Sequence, residues 1–277
     1  MRTWTLRILG VYVSLVACLN VSRMGQGTGS AALLVGQLAV IAAAIFSVRR
    51  RSRFWRVVGD WLPLIALPLL YWELPWATVG SARDYDGIVQ RWDLALFGSE
   101  PARTMAAALP SRPLSEILHL AYLLYYAIIY LPPAMLYARE PRRGYYETVL
   151  ALTVTVVISF AAFSLFPVAG PRFLWGAPVG VPNGPIRSLT LLVLEHGSAR
   201  GTAFPSSHVA IALAESLSML RWRRGPGWWV LGTTVLLAVG AVYGGFHYAA
   251  DILAGIAVGT GAWSLSRGIE RGISRGS

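Results

Sequence analysis

Apolar runs of about twenty residues, separated by polar breaks, recur along the whole chain. A helix needs about 20 mostly apolar residues to cross a bilayer. Eight stretches meet that measure: 4–22, 29–48, 57–79, 114–137, 147–167, 207–221, 227–246 and 247–266. The pattern predicts an all-α fold, a polytopic membrane helix bundle of about eight transmembrane helices. No internal repeat or low-complexity segment interrupts it.

Two breaks are long, at 80–113 and 168–206. In "DYDGIVQRWDLALFG", Tyr85, Ile88, Val89, Trp92 and Leu96 fall on one helical stripe, with Asp86, Gln90 and Asp93 facing away. That spacing predicts an amphipathic helix in the membrane interface, where Trp92 and Phe97 suit the headgroup level. An ordinary helix capping the bundle would show the same pattern.

Composition agrees with a membrane protein: 55% of the 277 residues are hydrophobic, only 13% are charged, and the net charge is +11. Every basic residue is arginine. In a soluble protein this basicity would point to nucleic acid, but here the arginines bracket apolar spans, so nucleic acid is excluded as a partner. The clusters "RRRSRFWR", "AREPRRG" and "RWRRGPG", the start "MRTWTLR" and the tail "RGIERGISRGS" all fall on one side of an eight-span bundle. The positive-inside rule makes that side cytoplasmic, with both termini there and the two long loops outside. A single cysteine, Cys18, excludes an internal disulfide. Its setting, "LVAC" after a basic start, also fits a lipoprotein cleavage site, but an uncleaved first helix fits the apolar residues that follow.

The candidate chemistry sits at the outer ends of the last spans. His208, in "FPSSHVA", opens the sixth run, and His247, in "VYGGFHYAADILAG", lies 39 residues on, two spans away. Both imidazoles are therefore expected at the same outer depth. Asp251 follows His247 by four residues, one helical turn if 247–266 is helical. A carboxylate that accepts the proton of one imidazole nitrogen makes the other a better nucleophile or base. Ser206 and Ser207 stand at a helix start, where free N–H groups and the dipole favour a phosphate, although serine there is also the ordinary cap. Arg172, in "FPVAGPRFLWG", is the leading candidate for a phosphate clamp, with Arg187 and Arg200 behind it. Glu215, seven residues after His208 on the same face, is expected to line the cavity or to serve as an internal hydrogen-bond partner. Glu73, Glu116 and His119 read as structural, and His196 as exposed.

These residues resemble the type 2 phosphatidic acid phosphatase (PAP2) superfamily of membrane lipid phosphatases and phosphotransferases. "FPSSH" is similar to its second motif and "VYGGFHYAADILAG" to its third, in the family's order. The resemblance implies a six-helix core over 57–266, with 1–56 as two additional helices and a basic loop, and 267–277 as a basic tail. It also implies that His247 attacks phosphorus to form a phosphohistidine, that Asp251 orients it, and that His208 protonates the leaving alcohol and then activates the acceptor. It implies no metal and no cofactor. Two departures stand out: Gly240 and Ala241 occupy the positions of a usual serine and arginine, and the first motif has only "AGPR" as a counterpart. Both resemble the inositol phosphorylceramide synthase-like branch, which makes transfer to an inositol, sugar or lipid alcohol as natural as hydrolysis. The expected partner is a phospholipid or polyprenyl phosphate in a bacterial-type plasma membrane, with the site facing outward. The competing reading is a non-catalytic lipid-headgroup binding or transport protein on the same fold.

Overall fold

The computed structural model describes residues 1–25, 29–50, 52–74, 85–178 and 180–275. The last residues of the expected third span, from 75 on, lie outside them, as do residues 80–84 of the first outer segment. Thirteen helices occupy the described residues, with no strand: α1 Arg2–Met24, α2 Ala31–Arg49, α3 Arg53–Trp72, α4 Asp86–Phe97, α5 Pro101–Ala108, α6 Arg112–Leu123, α7 Tyr125–Tyr137, α8 Arg143–Leu165, α9 Pro171–Trp175, α10 Pro185–Gly197, α11 Ser207–Trp222, α12 Arg224–Tyr243 and α13 Ala249–Arg275. Serine caps start four of them. Ser30, Ser52, Ser111 and Ser206 each accept the backbone N–H three residues on, satisfying a donor that the first turn leaves open.

Six of these helices are long and apolar enough to cross a membrane: α1, α2, α3, α8, α12 and α13. The pair α6–α7 adds a seventh if it counts as one span bent by 47°. The remaining expected stretch, 207–221, forms α11, whose 16 residues make it shorter than the other six. Helices α7, α8, α12 and α13 surround it.

Close approach of α11 and α13 depends on two glycines one turn apart. A Cβ on Gly255 would stand 2.6 Å from the Ser206 carbonyl oxygen, and one on Gly259 would stand 2.3 Å from that of Ala210. Small residues at such spacing let helix backbones meet, the packing membrane helices use where lipid offers no hydrophobic drive. The Ser206 N–H donates to the Asp251 carbonyl at 3.0 Å, tying the start of α11 to the first turn of α13.

Helices α1 and α2 pack on α3, and α1 also reaches α8. The anchor is polar. Asp60 of α3 is buried, pairs with Arg2 at 2.9 Å and accepts the hydroxyls of Tyr137 and Tyr146, each at 3.2 Å. Arg2 also donates to the carbonyls of Ser47, Trp55 and Arg56. A buried carboxylate held by a guanidinium and two hydroxyls thus joins the N-terminal pair to the rest of the bundle.

Candidate active site

A cavity of about 340 Å³ opens among α3, α6, α7, α8, α10 and α11. One end is polar, lined by Arg172, Ser198, Thr202, Ser207, His208 and His247. The remainder is apolar and aromatic, with Leu67, Ile129, Val156, Phe160 and a group of tyrosines that includes Tyr71 and Tyr130. Residues 125 to 130 of its wall lie within α7 and span more than one helical turn, roughly 7 Å along the axis. The shape accommodates an amphiphile with an anionic head.

The turn that presents His247 is built from backbone. Gly245 takes the left-handed φ of 68°, which glycine adopts without penalty, and the Ala241 carbonyl accepts the N–H groups of both Phe246 and His247. His247 consequently sits just before α13, not inside it as a helix over 247–266 would have it. It still meets Asp251. Nδ1 lies 3.3 Å from Asp251 Oδ2 and 3.0 Å from the Ala203 carbonyl. Both neighbours are acceptors, so Nδ1 carries the proton and Nε2 keeps the lone pair. Asp251 Oδ2 also accepts the Tyr248 N–H at 2.8 Å, the reach-back of a third-position carboxylate to its helix start. One oxygen therefore caps α13 and orients the imidazole.

His208 faces His247, with ring centroids 5.7 Å apart in an edge arrangement. Two tyrosines hold it. Tyr122 stacks on the ring at 5.0 Å and places its hydroxyl 3.3 Å from Nε2, and Tyr125 packs at 4.3 Å. Nδ1 is buried with no hydrogen-bond partner among the described residues. Neither tyrosine figured among the sequence candidates. The only trace of them is the aromatic crowding of "YLLYYAIIY", which any lipid-facing helix could carry.

Arg172 lines the same polar end and is steadied by the Leu194 carbonyl at 2.8 Å and by the Ser198 hydroxyl. One guanidinium nitrogen serves both bonds, which leaves other N–H donors of the fork for an anion. The two serines divide their work: Ser207 lines the cavity, whereas the Ser206 side chain caps α11 through Val209 and is not part of the wall. Arg200 is exposed and outside the cavity wall; Arg187 is also outside the wall but buried, and its side chain donates to Asn183. Glu215 is fully buried one turn below Ile211, which lines the wall, and is itself not in it.

The arginine position of the third motif has a physical reason to be empty of charge. Ala241 is fully buried, and a Cβ on Gly240 would lie 2.6 Å from the Leu118 carbonyl oxygen. No guanidinium fits where α12 meets α6 this closely, so a phosphate clamp has to come from another element.

Helix α4 turns its acidic face toward the protein. Asp86 and Asp93 are buried, as is Val89, while Trp92, Leu96 and Phe97 are exposed. Asp86 accepts the N–H groups of Ala169 and Gly170, both at 2.8 Å, and the Tyr248 hydroxyl at 2.9 Å. Asp93 accepts those of Ala249 at 3.1 Å and Ala250 at 2.8 Å. Gln90 adds a bond to the Tyr248 hydroxyl at 3.1 Å. Burial pushes the Asp93 carboxyl up, against the lowering pull of Ala250 and Ala249. Burial likewise raises the Tyr248 phenol, which keeps it a donor. The acidic face points inward because it finds backbone donors there, which hydropathy spacing cannot register.

Glu116 behaves as expected of a structural group. Its carboxylate accepts the N–H groups of Ile186 at 2.9 Å and Arg187 at 3.0 Å, capping α10 from another helix. His119 is buried against Tyr243 and Phe246, and His196 is exposed.

Comparison with known proteins gives one match. A family model described as the PAP2 superfamily matches residues 88–265, from within α4 to within α13. The match leaves α1, α2 and α3 outside it. Neither a curated protein nor a solved structure matches the chain.

Proposed function

The chain belongs to the PAP2 superfamily, and from that premise we propose that it is an integral membrane phosphatase or phosphotransferase acting on a lipid phosphate through a phosphohistidine at His247. One observation carries the reading: the proton on Nδ1 of His247 is held by Asp251 and Ala203, beside His208 and Arg172 in a cavity whose other end is apolar.

In the first step Nε2 of His247 attacks phosphorus while the ester P–O bond breaks. His208, protonated, gives its proton to the departing alkoxide, so a neutral alcohol leaves. Asp251 balances the positive charge that develops on the phosphorylated imidazole, and Arg172 with Ser207 takes up charge on the phosphoryl oxygens. In the second step His208 removes a proton from water, or from another alcohol, as its oxygen attacks phosphorus. The P–N bond breaks, His247 returns to its Nδ1–H form, and phosphate or a new phosphoester leaves. Water gives hydrolysis; inositol, a sugar or a lipid alcohol gives the transfer of the inositol phosphorylceramide synthase-like branch. The arginine distribution supports cytoplasmic termini and a site facing outward from a bacterial-type plasma membrane.

Purified protein incubated with phosphatidic acid, phosphatidylglycerol phosphate, polyprenyl diphosphate and phosphatidylinositol, with and without inositol, ceramide or sugar, tests this. Free and transferred phosphate are scored together with an acid-quenched search for phosphohistidine. Turnover and an adduct on His247 are expected with at least one lipid. Wild-type turnover in His247→Ala protein would sink the mechanism.

A further inference from the structure

Helix α4 contributes nothing to the cavity wall, yet its two buried carboxylates accept five donors from segments that do. Asp86 is the informative one. Through Ala169 and Gly170 it holds the loop that carries Arg172 two residues later. Through the Tyr248 hydroxyl it holds the residue next to His247. Gly170 takes the left-handed φ of 92° and its missing side chain faces the Ala203 methyl at 3.0 Å, so the loop enters the site by a tight path. Ala203 in turn supplies the carbonyl that receives Nδ1 of His247.

One carboxylate thus spans the chain segment of the anion-binding arginine and the segment of the attacking imidazole. Catalysis by positioning is sensitive to small displacements of such groups, and a buried carboxylate with three donors is a stiff spacer between them. We propose that Asp86 is a positioning residue that sets Arg172 in register with His247, with Asp93 holding the start of α13 in support. The inference rests on the phosphoryl-transfer reading of the site. Asp86 touches no reacting atom and acts through Arg172.

The test is a double-mutant cycle on the full chain in detergent or nanodiscs: wild type, Asp86→Asn, Arg172→Ala and both together. Each is measured for kcat/KM on a turned-over lipid phosphate, for affinity toward inorganic phosphate, and for melting temperature. Asparagine keeps the shape of Asp86 but turns a donor toward the backbone N–H groups. Asp86→Asn is expected to lower kcat/KM and phosphate affinity about tenfold, and to have almost no further effect once Arg172 is alanine. Tyr248→Phe, which removes one donor and keeps the ring, covers the case in which Asp86→Asn does not fold. It is expected to give a smaller loss, again confined to the Arg172 background.

Wild-type kcat/KM and phosphate affinity in these variants, or equal losses with and without Arg172, would overturn the proposal. A wild-type protein without turnover would instead sink the reaction, and the phosphate-affinity cycle would still decide whether Asp86 acts through Arg172.

Discussion

Asp251 accepts from His247 Nδ1 and from the Tyr248 N–H with the same oxygen, so the amide oxygen of Asp251→Asn in that position keeps both bonds, and α13 keeps its start. What the amide lacks is the negative charge that would balance the phosphorylated imidazole. The expected outcome is a fall in kcat of at least about 100-fold with a melting temperature near wild type, read by initial rates and thermal melting. Tyr122→Phe keeps the ring on His208 and removes only the hydroxyl 3.3 Å from Nε2. A loss of about three- to tenfold in kcat is expected, the scale of one hydrogen bond. His208, His247 and Asp251 were legible because histidine and aspartate are scarce in apolar spans and their spacing is fixed by helix length. Tyr122 and Tyr125 were not, because a tyrosine that packs on a cavity-lining histidine has the same sequence signature as one that faces lipid.

At the scale of the element, α11 and α13 meet through glycine, so steric volume there is a direct probe. Gly259→Val places branched carbons against the Ala210 carbonyl, where a Cβ alone would already stand 2.3 Å away. Overpacking of this kind costs about 1–3 kcal/mol, and a clearly lowered melting temperature with reduced yield is expected. Ser206→Ala should be milder, because its bond to Val209 is 3.5 Å long. A loss near 0.5 kcal/mol is expected, with kcat/KM within about twofold of wild type. The amphipathic segment 85–97 shows how far hydropathy patterns reach. The helix and its two faces were predicted from its period, but not that Asp86 and Asp93 find backbone donors at the site while Trp92 and Leu96 face outward. Periodicity identifies that a helix has two faces; the neighbours decide which face is inside.

For the whole molecule, the N-terminal pair α1–α2 is held through Arg2 and Asp60 and takes no part in the cavity wall. Arg2→Ala removes the shortest ion pair of Asp60 and leaves Arg142 at 3.9 Å and two tyrosine hydroxyls. It is expected to destabilise the fold by about 2 kcal/mol while leaving kcat/KM within twofold, measured by melting and initial rates. Orientation is tested by cysteine labelling in a Cys18→Ser background. A membrane-impermeant maleimide should label Arg200→Cys in intact cells and Arg139→Cys only after permeabilisation; the reverse pattern would invert the topology. By itself the sequence determined that the chain is a helical membrane bundle and which ionisable residues share a depth, because span length and the cost of burying charge act along the chain. Tertiary structure alone decided that Ser206 caps a helix while Ser207 lines the cavity, that Arg172 stands at the site while Arg200 does not, and that Asp86 bridges two loops. Each of these depends on where a side chain's nearest donor or acceptor lies in space, between residues up to 162 positions apart in the chain, and no local pattern encodes that distance.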